Sequence, residues 1–149
     1  MKVKAIPDGY HTVTPSMSVK DAGKLIDYMK RAFGATESMR MPGPGGVIWH
    51  AEVKIGDSVV MLSEAMNEPP VQGSLFLYVK DVDAVYAQAL EAGGTSLMKP
   101  ENMFWGDRFA RVKDPFGNLW GMATHVEEVS PEELPKRAAA AMRAQGANA

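Results

Sequence analysis

Hydrophobic positions recur along this chain with two different periods. Segments with the two-residue period of a strand alternate with segments that have the spacing of a helix. Residues 12–19 alternate between apolar and polar side chains and are β-prone, which predicts a strand. Apolar residues then recur at helical spacing over 22–33, and Gly34 is suited to end a helix. Three further β-prone segments follow, at 36–41, 47–55 and 58–63. The pattern therefore predicts a βαβββ unit.

The same order of elements occurs a second time about 60 residues later. The tetrapeptide VKDA at 19–22 is repeated as VKDV at 79–82, FGAT at 33–36 is echoed by AGGT at 92–95, and the turn at 56–61 is echoed at 117–122. Asp21 and Asp81 occupy the positions at which helix N-caps are expected. The second copy predicts strands at 74–79, 96–103, 108–113 and 118–124, with a helix over 82–90.

These repeats define the expected domain organisation. Two units, at about 8–64 and 73–128, form one domain over 1–128, and the Pro- and Asn-containing segment 64–73 joins them. A helical tail is expected over 129–149, because Ser130 to Glu133 resembles a capping box and the run of alanines at 138–141 favours helix. Pro135 should delay the start of that helix, and the chain should fray from Gly146 onward.

Composition excludes several classes of protein. The 149 residues contain no cysteine, so there is no disulfide framework, zinc–thiolate site or thiol nucleophile. A net charge of −2 argues against a nucleic-acid partner, and no apolar run approaches the roughly 18 residues of a membrane span. The segment 1–7 has no apolar leader region, so we expect a cytoplasmic protein. The 11 methionines suit either an adaptable binding surface or a core.

Several short phrases resemble one superfamily. These are GYHTVTP at 9–15, HAEVKIGDS at 50–58, FWGDR at 104–108 and DPFGN at 114–118. Together with the two βαβββ units they resemble the vicinal-oxygen-chelate superfamily of glyoxalases, extradiol dioxygenases and bleomycin-resistance proteins, and within it the PhnB-like branch. The resemblance covers about residues 8–128. It implies an α+β fold in which the two units form a curled, cup-shaped mixed sheet, with the C-terminal helix added.

The resemblance also implies where a metal would bind. Enzymes of the superfamily hold a divalent ion in the cup, with His or Glu ligands from the first and last strands of each unit. The corresponding positions here are Thr14, Ser74, Gly121 and either Val60 or Met61, and none is a His, Asp or Glu. We therefore expect no metal and no cofactor.

Two clusters and one strand supply the candidate ligand-binding residues. His50 and Glu52 are two apart on a predicted strand and share a face, and the FWGDR turn combines an aromatic wall with charged groups. Phe76 and Tyr78 share a face with Ser74, which the resemblance makes concave. A hydrogen-bonded His50, a turn stapled by an Asp–Arg pair and simple core packing explain the same residues without a ligand. The candidates are His50, Glu52, Phe76, Tyr78, Trp105, Asp107 and Arg108.

Three functions are compatible with these observations. The leading hypothesis is a metal-independent protein that binds a small aromatic or amphipathic molecule, with a positive charge on the ligand pairing with Glu52. The alternatives are a metal-dependent lyase, isomerase or dioxygenase with a non-standard site at His50 and Glu52, and an interaction module whose cup is filled by side chains. No catalytic residue is assigned, so the sequence leaves enzymatic activity open. A homodimer is expected, and the units could pair within one chain or between two.

Overall fold

The computed structural model describes residues 3–147. The ends of the predicted domain and tail, residues 1–2 and 148–149, lie outside this range, and so does the second half of the segment 146–149 that was predicted to fray. The first unit contains β1 (Ser16–Val19), α1 (Ala22–Phe33), β2 (Thr36–Pro42), β3 (Ile48–Ile55) and β4 (Ser58–Glu64). The second contains β5 (Ser74–Tyr78), α2 (Val82–Glu91), β6 (Thr95–Asn102), β7 (Asp107–Lys113) and β8 (Leu119–His125). The C-terminal helix is α3 (Leu134–Ala147).

Each unit folds into one four-stranded mixed sheet. The strand order is β1-β4-β3-β2 in the first sheet and β5-β8-β7-β6 in the second. In both sheets the first strand is parallel to the last, and the other neighbours are antiparallel. The two βαβββ units and the α+β class predicted from the sequence are confirmed.

The inner faces of both sheets contribute to one hydrophobic core. Alternation along each strand sends one set of side chains toward the helices and the other set to the opposite face. On the second sheet, Trp120 and Met122 are fully buried and belong to the same core cluster as Leu25 and Ile26 of α1. The opposite face of each sheet, which we call its outer face, lies away from the helices.

Two helix starts that look alike in the sequence are built differently. Asp81 caps α2 as predicted, because its side chain accepts a hydrogen bond from the backbone N–H of Ala84 at 3.0 Å. Asp21 makes no such bond and has a left-handed backbone, with φ of 59°. Glu64 at the end of β4 takes its place and accepts hydrogen bonds from the backbone N–H groups of Asp21 and Ala22.

Most predicted strand boundaries agree with the structure to within one residue, and two elements differ by more. Strand β1 begins at Ser16 and not at residue 12, since Pro15 has no N–H to donate to a ladder. Helix α3 begins at Leu134 after a turn over 131–133 and continues through Gly146, where we had expected fraying. Within residues 3–147, no helix is both long enough and apolar enough to cross a membrane.

Candidate functional site

The outer face of the second sheet presents a group of aromatic side chains. Phe76 on β5 and Phe109 on β7 stack with their ring planes 8° apart and their centroids 5.5 Å apart. Tyr78 lies 5.1 Å from Phe76, and Trp105, in the turn before β7, lies 5.9 Å from Phe109. We call the surface formed by Phe76, Tyr78, Phe109 and Trp105 the aromatic face.

A glycine under the two phenylalanines makes this stacking possible. Gly121 on β8 pairs with Phe76 on one side and with Arg111 on the other. A Cβ atom at residue 121 would lie 2.9 Å from the ring of Phe76 and 3.3 Å from that of Phe109. In the first unit, Ser16 and Met61 occupy the equivalent paired positions, so that no comparable stack forms there.

Much of the aromatic face remains accessible. Phe76 is 49% exposed and Tyr78 is 67% exposed, whereas Ala123 beneath them is fully buried. Large apolar side chains with this exposure gain free energy when a ligand covers them, at roughly 25 cal/mol per Å² of apolar surface. The face can therefore bind a flat apolar group without first opening.

A buried carboxylate fixes one end of the aromatic face. Asp107 is 3% exposed, and its carboxylate accepts hydrogen bonds from Tyr78 Oη at 3.0 Å, Trp105 Nε1 at 2.9 Å and His125 Nδ1 at 2.9 Å. Each donor comes from a different segment: strand β5, the turn before β7 and the end of β8. Asp107 thus holds two of the four aromatic rings in place.

The protonation states in this cluster follow from its contacts. Burial opposes ionisation of Asp107, but the hydrogen bonds from His125, Tyr78 and Trp105 outweigh it and lower the pKa of that carboxyl. The bond to Asp107, followed by the contact with Glu128, raises the pKa of His125. The bond to Asp107 also raises the pKa of Tyr78, so that its hydroxyl stays protonated.

The other sequence candidates on an outer face form a second cluster, on the first sheet. His50 Nε2 and Glu52 Oε1 lie 3.2 Å apart on β3, and Tyr10 in the N-terminal segment donates its hydroxyl hydrogen bond to the second oxygen of Glu52. This bond from Tyr10, together with the smaller contribution of His50, lowers the pKa of Glu52 against the effect of burial. The Glu52 side chain is therefore covered by the chain's own N-terminal segment.

Arg108 is not part of either cluster. It lies on the opposite face of β7 from Asp107 and Phe109, because neighbouring strand residues point to opposite sides. Its guanidinium contacts both carboxylate oxygens of Asp83 on α2, at 2.6 and 2.8 Å, and Asn102 at 3.1 Å. Arg108 thus ties α2 to the sheet, and the Asp107–Arg108 pair considered from the sequence does not form.

A cleft of about 760 Å³ lies beside the aromatic face. It is bounded by the N-terminal segment, the β3–β4 hairpin and strand β5, and it shares only Phe76 and Tyr78 with the aromatic face. Because β5 is an edge strand, its side chains line this cleft as well as the outer face. Phe76 and Tyr78 therefore belong both to the aromatic face and to the wall of the cleft.

The side chains at the positions implied for a metal do not fit a divalent ion. Gly121 has no side chain, and Thr14 precedes β1 and donates its hydroxyl hydrogen bond to the carbonyl oxygen of His11. Val60 is buried in the core, which leaves the thioether of Met61 and the hydroxyl of Ser74. A thioether and a hydroxyl are poor ligands for the ions that prefer imidazole and carboxylate. Across 3–147, no three His, Asp or Glu side chains are grouped closely enough to hold a metal.

Three residues on this face of the second sheet were not among the candidates predicted from the sequence: Phe109, Arg111 and His125. Phe109 and Arg111 follow Asp107 at steps of two along β7, so strand alternation from Asp107 would have placed them on its face. His125 is opposite Asp107 only because β7 and β8 pair in this register, and no local pattern reveals that register.

Comparison with known proteins agrees with the fold. The family description "Glyoxalase/Bleomycin resistance protein/Dioxygenase superfamily" matches residues 10–122. An uncharacterized protein of Mycobacterium bovis, Mb0911c, is 37% identical over 146 residues, which cover 90% of this chain and 93% of the relative.

Two solved structures are similar in fold and size. TnmS3, an antibiotic binding protein from Streptomyces sp. CB03234, has a TM-score of 0.63 and 30% identity, over 83% of this chain and 99% of that one. TioX from Micromonospora sp. ML1 has a TM-score of 0.68 and 25% identity, over 78% of this chain and 99% of that one.

Proposed function

Because this chain belongs to the glyoxalase/bleomycin resistance protein/dioxygenase superfamily, we propose that it uses the superfamily fold to bind a planar aromatic small molecule on the aromatic face. One observation carries the proposal: Phe76 is half exposed, and its ring stacks on that of Phe109 beside Gly121, which has no side chain to separate the two rings. The structural likeness to TnmS3, an antibiotic binding protein, supports it.

The composition of the face suits recognition of a ring system. Aromatic pairs contribute about 0.5–1.5 kcal/mol beyond the area that they bury, and sites for small molecules combine apolar walls with a few polar groups. Here the walls are Phe76, Phe109 and Trp105, and the polar groups are the hydroxyl of Tyr78 and the imidazole of His125. Their hydrogen bonds to Asp107 fix both groups before any ligand arrives, which reduces the entropy lost on binding.

The test uses a neutral planar probe, 2-naphthamide, titrated into the protein by isothermal calorimetry. We expect a micromolar dissociation constant for the unmodified chain. Replacement of Phe76 by alanine should weaken binding about tenfold, because it removes one stacking partner.

Trp49→Ala is the matched control, since Trp49 is also an exposed aromatic residue but belongs to strand β3 of the first sheet. Its affinity should equal that of the unmodified protein. Equal affinity in Phe76→Ala and in Trp49→Ala, or no binding of 2-naphthamide at all, would overturn the proposal.

A further inference from the structure

The two outer faces differ in the charge that they offer. Glu52 in the first sheet pairs with Met61, and Arg111 in the second sheet pairs with Gly121, so the two occupy equivalent positions. Glu52 is only 9% exposed and is hydrogen-bonded to Tyr10 and His50. The acidic position is therefore already engaged within the chain.

Arg111, in contrast, has a guanidinium that is available to pair with a ligand. It is exposed, and its side chain makes no hydrogen bond or ion pair with any of residues 3–147. Arg108, three residues earlier on the other face of the same strand, is held by Asp83 at 2.6 Å. Of the two arginines on β7, the one beside the aromatic face is the one without a partner.

The position of Arg111 relates it directly to the stacked rings. It is two residues from Phe109 on the same face, about 7 Å along the strand. Its cross-strand neighbour Gly121 has no side chain, and the rings of Phe76 and Phe109 both lie against that glycine. Arg111 is therefore next to the stacked pair on the same face of the sheet.

The carboxylate of Asp107 does not favour a cationic ligand. Its carboxylate is buried and accepts three hydrogen bonds, from Tyr78, Trp105 and His125. The buried carboxylate of Asp107 lies at one end of the aromatic face, and Arg111, whose guanidinium has no partner among residues 3–147, lies at the other. Glu101 on the edge strand β6 pairs with Phe109 and adds an exposed carboxylate on the same face, so the cationic probe below tests whether Glu101 or Arg111 decides the charge of the ligand.

We propose that the aromatic face binds a planar aromatic carboxylate, whose ring stacks on Phe76 and Phe109 while its carboxylate pairs with Arg111. This inference rests on the proposed function and narrows it to anionic ligands, in place of the cationic ligand that Glu52 suggested. A guanidinium beside a ring suits such a ligand, because it can bind both carboxylate oxygens in parallel.

The experiment compares three probes that share one ring system: 2-naphthoate, 2-naphthamide and protonated 2-naphthylmethylamine, measured by calorimetry at pH 7. We expect 2-naphthoate to bind about tenfold more tightly than the amide, since a charge-assisted pair is stronger than a neutral contact. The amine should bind more weakly than the amide. Raising the salt concentration should reduce the advantage of the acid.

Two variants of strand β7 distinguish a direct contact with Arg111 from a general effect of the protein's net charge. In Arg111→Gln the ratio of the naphthoate affinity to the naphthamide affinity should fall to about one. In Arg108→Gln, which removes the same charge from the opposite face, the ratio should remain as in the unmodified chain.

Each outcome bears on one of the two proposals. Equal affinity for acid and amide, tightest binding of the amine, or an acid preference that persists in Arg111→Gln would overturn the carboxylate assignment and leave aromatic binding intact. Failure of all three probes to bind would overturn the aromatic site itself, and the carboxylate assignment with it.

Discussion

Gly121 shows how one residue can change the use of a site. At this position the superfamily resemblance implied a metal ligand, and here the absence of a side chain lets two phenylalanine rings lie against β8. In Gly121→Ala the new methyl group would sit 2.9 Å from the Phe76 ring, so the rings must shift.

We predict that Gly121→Ala weakens 2-naphthamide binding about tenfold and lowers the free energy of unfolding by no more than about 1–2 kcal/mol, since the half-exposed ring of Phe76 can move aside. Calorimetry and urea unfolding measure the two effects. Gly146→Ala is the control, because a Cβ there meets nothing within 4 Å. Unchanged affinity in Gly121→Ala would contradict the role given to this glycine.

The Asp107–His125 pair predicts how stability depends on pH. The pKa of His125 is raised on folding, so the pair adds stability below the unfolded pKa of about 6.5 and loses it as the pH rises through the folded value. The pKa of Asp107 is lowered, so its contribution is present above about pH 4 and is lost on acidification.

His125→Gln should therefore reduce the free energy of unfolding more at pH 5 than at pH 9, as measured by urea denaturation at both values. His11→Gln, at an exposed residue whose side chain makes no hydrogen bond within the described chain, should show no such difference. Equal destabilisation by His125→Gln at the two pH values would show that the ion pair does not form.

At the scale of elements, the N-termini of α1 and α2 are stabilised in different ways. A local side-chain cap serves α2, and a contact from the distant residue Glu64 serves α1. Asp81→Ala should lower the free energy of unfolding by about 1 kcal/mol, because the N–H of Ala84 loses its acceptor. Asp21→Gly should not destabilise, since Asp21 makes no cap and glycine adopts its φ of 59° without strain.

Thermal or urea unfolding measures the change in stability of Asp81→Ala and of Asp21→Gly. A loss in Asp21→Gly as large as that in Asp81→Ala would mean that the two aspartates act alike. Glu64→Ala should be destabilising as well, because it leaves the N–H groups of Asp21 and Ala22 without the carboxylate that accepts from them.

These helix starts also show which parts of the structure were predictable from sequence. The range of α1 follows from its apolar spacing and from Gly34, both of which are local signals. The contact between Glu64 and the start of α1 is not local, since 43 residues separate Glu64 from Asp21. The candidate site divides in the same way: His50 and Glu52 share a face by alternation, whereas His125 meets Asp107 only through strand pairing.

At the scale of the whole molecule, the two units depend on each other. Phe33 at the end of α1 packs against Trp120 of the second sheet, with ring centroids 4.5 Å apart. Tyr28 of α1 donates a hydrogen bond to the backbone carbonyl of Ala89 in α2 at 3.2 Å. The faces of both sheets that point toward the helices are therefore buried in one core. Both outer faces remain available for other contacts.

Those outer faces and their edges lead us to predict a homodimer. β1 and β5 are edge strands, and unpaired edges are commonly covered by association. The outer face of the first sheet exposes Met39 and Met41, beside the covered Glu52, and a second copy would bury this apolar surface.

Light scattering should report about twice the chain mass of 16.2 kDa. Met41→Glu should shift the protein toward monomer, because burying an unpaired carboxylate in an apolar contact is unfavourable. Met142→Glu, at an exposed position on α3, is the matched control and should leave the dimer intact. A strict monomer at high concentration would contradict the dimer. A dimer that dissociates in Met142→Glu but persists in Met41→Glu would place the contact at α3, away from the outer face on which the argument for association depends.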